Sequence, residues 1–196
     1  MHANKGNGGT DHRVCPLGAA RMFDNPLRLL IHQPGKMLRD YVKPGSKVLD
    51  FGCGLGFFSI AMAKMVGEDG LVIAADLQDV MLQGLMKRAR RAGVADRIRP
   101  HLTAPDKIGL EDQVDFAIAC WVIHETPDTG AAFRELASAL VPGGRLYVME
   151  PKSHASEEEF GELLASAAAA GLREVARPRS AGSRAVVLER PLHVSG

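Results

Sequence analysis

The sequence predicts an α/β fold, a mostly parallel sheet with helices on both faces that ends in one antiparallel hairpin. Three observations carry this. From Lys47 onward, short apolar strands alternate with helical segments, and strands joined through helices run parallel. The near-continuous apolar run at 114–121 is the mark of a strand covered on both faces. Close to the C-terminus, two strand-like segments are joined by a connection too short for a crossover, so they must be antiparallel.

Each element has its own signal. Residues 1–13 are Gly- and Asn-rich and are expected to form a disordered tail. Residues 14–42 are expected to form a small helical cap. Asp24 or Asn25 caps a short helix with Pro26 in its first turn. Pro34 and Gly35 end it, and a second short helix runs to Tyr41. The main domain is expected over 43–192, after the turn Lys43-Pro44-Gly45-Ser46. Strands are expected at 47–51, 71–75, 98–102, 114–121 and 145–149. Helices are expected over 57–66, from Asp79 as cap with Val80, Leu82, Leu85, Met86 and Ala89 at helical spacing, and from Thr126-Pro127 with Phe133, Leu136 and Leu140 on one side. Pro142-Gly143-Gly144 reads as a turn. Ser156 and Glu159 make a capping box before an Ala-rich helix, and Gly171 suits the position after its C-terminus. The hairpin follows, with strands at 173–176 and 184–189 around Ser180-Ala181-Gly182.

Composition narrows the function. The chain has 196 residues, enough to bury a substantial core without disulfide staples. Its net charge is +1, without the basic excess of a dedicated nucleic-acid binder. No apolar run approaches the length of a membrane span, and the first thirteen residues lack the hydrophobic region of a signal peptide. Cys15, Cys53 and Cys120 are scattered, with neither disulfide framework nor metal knuckle, so no metal site is expected and a reducing cytoplasm is the simplest location.

The chemistry concentrates where the first strand becomes a helix. Asp50-Phe51-Gly52-Cys53-Gly54-Leu55-Gly56 lets backbone approach a ligand closely, beside the free N–H groups of a helix N-terminus. By itself this is also the pattern of a tight turn. Asp76 ends the second strand twenty residues after Gly56. There a carboxylate faces the ribose of a bound nucleoside, or else serves as a solvated loop group or helix cap. The dinucleotide pattern G-x-G-x-x-G is not met, because the third glycine comes one residue early. S-Adenosylmethionine has no phosphate. Asp50 takes the ammonium of its amino-acid tail, directly or through water, or caps the glycine loop.

These stretches resemble the class I S-adenosylmethionine-dependent methyltransferases. VLDFGCGLGFFSIAMA is similar to their first motif and IAADLQ to their ribose-binding motif. VDFAIACWVIHETPD and ALVPGGRLYVMEP are similar to their fourth and fifth strands. The closest likeness is to the small-molecule, ubiquinone/menaquinone C-methyltransferase-like group. The resemblance, over about residues 40–190, implies a Rossmann-like three-layer fold with seven strands in the order 3-2-1-4-5-7-6. It implies S-adenosyl-L-methionine held by Asp50, Gly52, Cys53, Gly54, Gly56, Asp76, Leu77, Thr103, Ala104 and Cys120. It also implies N-terminal helices that cover the site. One position departs: Thr103 stands where many relatives carry an acid that meets the adenine amino group. Thr103, Asp106 or backbone groups must then serve.

Ligands in such sheets lie beyond the carboxyl ends of the strands. Cys120, Trp121, His124 and Glu125 are therefore expected beside the transferred methyl group. His124 reads as a general base oriented by Glu125, as a residue shaping the substrate pocket, or as a cap on the following helix. Glu125 also reads as a helix-start charge. Trp121 either walls the pocket or packs in the core. Met62, Met65, Met81 and Met86 read as core fillers, and Lys87-Arg88-Ala89-Arg90-Arg91 as a solvated face. A small, partly apolar methyl acceptor is expected, with no nucleic-acid partner. Three other readings stay open: a non-catalytic S-adenosylmethionine-binding module, an NAD-binding oxidoreductase, and an arsenite methyltransferase using Cys15 and Cys120.

Overall fold

The computed structural model describes residues 33–192. The expected tail, the first cap helix and Cys15 lie outside them. The chain runs α1 (Pro34–Leu38), β1 (Lys47–Phe51), α2 (Phe57–Val66), β2 (Leu71–Asp76), α3 (Asp79–Arg91), β3 (Ile98–Leu102) and β4 (Val114–Cys120). It continues through α4 (Thr129–Ala139), β5 (Leu140–Pro151), α5 (Glu157–Ala169), β6 (Arg173–Ala176) and β7 (Ser183–Glu189). The seven strands form one sheet in the order β3-β2-β1-β4-β5-β7-β6. Strands β1 to β5 pair in parallel, and β7 is antiparallel to both β5 and β6. Only β7 is reversed, as the short connection requires.

Alternation along the central strands divides the core in two. Val48, Val72, Phe116 and Tyr147 point to the side that also holds Leu38, Met62 and Leu85 of α1, α2 and α3. Leu49, Ile73 and Ala117 point to the side of Phe133 and Leu136 of α4 and Leu163 of α5. The segment after α1 docks by its aromatic ring: Tyr41 stacks on Phe116, centroids 5.6 Å apart. Met62 and Met81 are fully packed core residues, and Met65 and Met86 pack at its margin. Lys87, Arg90 and Arg91 lie on the solvent side of α3.

Several local expectations are corrected. Gln78, not Asp79, is the N-cap of α3, and Val80 is 46% exposed rather than core-facing. Helix α4 starts at Thr129, capped by Asp128, whose carboxylate accepts from the Ala131 N–H at 2.8 Å. Pro127 holds Thr126 extended, at φ −76° and ψ 138°, so the helix cannot begin there. The fourth strand stops at Cys120, because Trp121 takes a left-handed φ of 61°. The fifth strand begins before the Pro-Gly-Gly turn, not after it. Leu140 pairs with Val114, residues 141–144 bulge out, and pairing resumes with Arg145 against Phe116. A side chain on Gly144 would meet the Val141 carbonyl at 2.8 Å, which fixes glycine at the bulge.

The end of β7 locks this bulge. Arg190 exchanges backbone hydrogen bonds with it, Gly143 N–H to Arg190 O at 2.8 Å and Arg190 N–H to Gly144 O at 2.9 Å. Its guanidinium Nη1 donates to the carbonyls of Ala137, Ser138 and Leu140 at the end of α4. At α5 the capping box is complete: Glu159 N–H donates to Ser156 Oγ at 3.1 Å and Ser156 N–H to Glu159 Oε2 at 2.7 Å. Gly171 follows at φ 84°, as expected of the left-handed residue after a helix.

Candidate cofactor and acceptor site

The carboxyl ends of β2, β1, β4 and β5 lie side by side, and the residues singled out in the sequence sit along that row. The glycine loop is built from backbone. Gly52 and Cys53 both donate their N–H to Ala75 O, at 2.9 and 3.0 Å, and so bind the loop to β2. Gly52, Gly54 and Gly56 have φ of 72°, 51° and 87°, a region that favours glycine. They do different work. A Cβ on Gly52 would meet the Val122 side chain at 2.5 Å, and one on Gly54 would meet no protein atom within 4 Å. Gly52 therefore packs against the segment after β4, and Gly54 presents bare backbone outward.

Asp76 sits across from that bare backbone. Its Oδ2 accepts from Gly54 N–H at 2.8 Å and its Oδ1 from Gln78 N–H at 2.9 Å. Burial pushes its pKa up, opposed by the N–H groups of Gln78, Gly54 and Leu77. Asp50 is 2% exposed and accepts a hydrogen bond from Ser59 Oγ in the first turn of α2. It braces strand end to helix start. Cys53 is buried, and burial together with Asp50 and Asp76 pushes its thiol pKa well above the ordinary range. Thr103 donates its N–H to Asp76 O at 3.0 Å, and the Ala104 N–H is used by Lys107 O at 2.9 Å. Asp106 is exposed in that turn.

The other end of the row, where an acceptor is expected, is assembled across strands. Cys120 is buried at the end of β4, and Trp121 is half-buried. Trp121 donates its backbone N–H to Met149 O at 2.8 Å and its indole N–H to Ser183 Oγ at 3.2 Å. The ring thus lies over the β4–β5–β7 side, packed at the core margin. His124 lies in the 3₁₀ turn Ile123–Glu125. Its partner is not Glu125, whose carboxylate is 4.0 Å from Nε2. Nδ1 instead meets Oε2 of Glu150, a fully buried carboxylate at the end of β5. The other oxygen of Glu150 accepts from Ile123 N–H at 2.9 Å. His154 lies edge-on to His124, centroids 5.3 Å apart. The Glu150 contact raises the His124 pKa above its usual value against the opposing effect of burial, with Glu125 adding a smaller push. Sequence reasoning missed Glu150 and His154. A charged residue in Val148-Met149-Glu150-Pro151, at the end of an apolar strand, was the available signal for the first. Among the described residues no three His, Cys, Asp or Glu are grouped to hold a metal ion, and no helix is long and apolar enough to cross a membrane.

Comparison with known proteins follows the same outline. Residues 48–144 match the family model described as a methyltransferase domain. Over 110 residues the chain is 33% identical to a ubiquinone/menaquinone biosynthesis C-methyltransferase of Pasteurella multocida, covering 56% of this chain and 41% of that protein. The corresponding protein of Haemophilus ducreyi is 32% identical over 110 residues, with coverage of 56% and 42%. The chain spans less than half the length of these curated relatives. A crystal structure described as a SAM-dependent methyltransferase from Aquifex aeolicus superposes with a TM-score of 0.79 at 28% identity, covering 89% of this chain and 98% of that one. A Methanococcus maripaludis structure shares the fold over the full length of both chains, with a TM-score of 0.75 at 17% identity.

Proposed function

This chain belongs to the class I S-adenosylmethionine-dependent methyltransferases, and from that premise we propose that it moves a methyl group from S-adenosyl-L-methionine to a small-molecule acceptor by in-line displacement. The observation that carries the reading is the pairing of Asp76 with the outward backbone of Gly54. A carboxylate 9% exposed and carrying a desolvation cost suits two vicinal hydroxyls. A ribose supplies them. Gly54 allows the nucleoside to lie against the main chain, and Gly56 lets Leu85 pack against the loop. Asp50, braced by Ser59, supplies negative charge for an ammonium group. Leu77, Thr103 and Ala104 border the adenine side, and Cys53 and Cys120 fill beneath.

When bound, S-adenosylmethionine supplies a methyl carbon already activated by its positive sulfur. The protein's task is then chiefly alignment. Gly52 packs on Val122, so the loop that holds the amino-acid tail touches the segment carrying His124. This proximity supports an acceptor on the Trp121–His124 side of the row. The cytoplasm is the expected location and the acceptor is expected to be small and partly apolar.

Two titrations test the reading. By calorimetry S-adenosylmethionine should bind and NAD should not. Incubation with label in the cofactor methyl group and fractionated cell metabolites should then move label to a small molecule, identified by mass spectrometry. Binding without transfer to any fraction would favour a non-catalytic module, and binding of NAD alone would end the proposal.

A further inference from the structure

Resting on that reading, we propose that Glu150 is a positioning residue that fixes the Nδ1–H tautomer of His124, so that Nε2 is the base and the acceptor is a nucleophile with a proton to lose. The geometry leaves the carboxylate little choice. Glu150 is wholly buried, and its two oxygens are divided between Ile123 N–H and His124 Nδ1. An ionised carboxylate only accepts, so Nδ1 must carry hydrogen. In the neutral ring the lone pair then sits on Nε2. That nitrogen is 4.0 Å from Glu125, beyond hydrogen-bond reach. The side chain is 23% exposed and stands after β4, at the end of the sheet where the cofactor loop lies.

A purely structural purpose explains less. Ile123 N–H needs one acceptor, and a glutamine or a carbonyl would serve. A charge buried for that alone costs several kcal/mol. The same charge becomes useful when the imidazole is to turn cationic, because it stabilises the imidazolium formed as Nε2 takes up a proton. The step balances as follows. The acceptor's proton passes to Nε2 as the acceptor atom bonds to the methyl carbon. The carbon–sulfur bond breaks and its electron pair stays on sulfur, which loses its positive charge. His124 then returns the proton to solvent. A tertiary amine or a thioether has no such proton and would gain nothing from this pair. The groups facing His124 are Glu150 and His154 from the β5 side and Glu125 from its own turn.

The variant Glu150→Gln discriminates. Its amide oxygen still accepts from Ile123 N–H. Its NH₂ then faces Nδ1 and forces the hydrogen to Nε2, whereas a carboxylate that served Ile123 N–H alone would leave the tautomer unmoved on substitution. Nitrogen-15 long-range NMR on the full chain, with S-adenosylmethionine present and at a pH where His124 is neutral, reads this directly. The wild type should show the Nδ1–H form and Glu150→Gln the Nε2–H form. A wild-type Nε2–H form would overturn the proposal, and needs no folded variant to be seen. In the labelled-methyl assay, Glu150→Gln should lower kcat by about a hundredfold to ten-thousandfold, as expected when the wrong tautomer is imposed on a catalytic histidine. KM and cofactor affinity should stay near wild type, and Glu150→Asp should recover part of the loss. Unchanged kcat, or a kcat that does not vary with pH in the wild type, would sink the proposal. Failure of the wild type to bind S-adenosylmethionine would instead remove the methyltransferase reading and leave the tautomer result standing.

Discussion

The two ends of the site are made differently. At the proposed cofactor end, the groups assigned to the ligand come from two short contiguous stretches, 50–56 and 76–78, held by backbone hydrogen bonds between neighbouring strands. At the acceptor end, a histidine and a carboxylate 26 residues apart meet only because β4 and β5 pair in register. The first end is dictated by local main-chain geometry and tolerates little change in residue type. The second is dictated by tertiary structure and can be rebuilt by changing side chains on a fixed frame. One fold can thereby keep a single methyl donor and serve many acceptors.

Four substitutions break or sharpen that contrast, in decreasing order of effect. His124→Gln should cut turnover by about 10²–10⁴, the usual contribution of a positioned base, with cofactor affinity within about twofold of wild type. Turnover in the wild type should also rise with pH through the His124 value, which lies above the ordinary 6.5 or so, because the base must be neutral. The stability effect has the opposite sign. The protonated His124–Glu150 pair contributes fully below the unfolded-state value and is lost as pH rises through the raised folded value. Denaturant titrations of wild type and Glu150→Gln across that interval should converge on the alkaline side. A wild-type stability that grows there instead would contradict the pairing.

Asp76→Ala should weaken S-adenosylmethionine by about a hundredfold, two hydrogen bonds to a charged group at about 1.5 kcal/mol or more each, measured by calorimetry. Affinity near wild type would mean that the ribose lies elsewhere. Gly52→Ala should destabilise the fold by about 1–3 kcal/mol in urea, since it combines a left-handed residue with a Cβ forced against Val122. A change below that range would show that Val122 yields freely and that the two ends are not mechanically joined. Thr103→Asp should tighten the cofactor only a few-fold, the gain of about one hydrogen bond at the adenine edge. An unchanged affinity would show that adenine does not reach residue 103.

The same contrast explains how far the sequence could be read. The strand–helix alternation, the reversed β7 and the α5 capping box follow from periodicity, short connections and cap chemistry, all local signals, and the strand order from the family resemblance alone. Asp50, Gly54 and Asp76 were visible because their spacing is fixed by one strand–helix–strand unit. Glu150 was not, since nothing within a few residues of His124 announces a partner on the next strand, and Glu125 was the nearer carboxylate in sequence. The Pro142-Gly143-Gly144 segment misled for a related reason. It is a turn in composition, yet the strand pairs on both sides of it, and only the register with β4 reveals a bulge. Trp121 ended its strand early through a backbone conformation that an apolar run does not signal.

Arg190 has a consequence for the order in which the chain folds. Helix α4 has no basic residue in its last turn, and the positive group at its C-terminus comes from a residue some fifty positions later. Its carbonyl ends therefore acquire this partner only after β7 has docked between β5 and β6. Closing so long a loop is slow, and the contact adds to the non-local share of the topology. In a chevron experiment Arg190→Ala should mainly speed unfolding and leave the folding arm nearly unchanged, a φ-value near zero. A φ-value near zero would mean that helix α4 is made early and fastened late, by the last strand of the sheet in chain order.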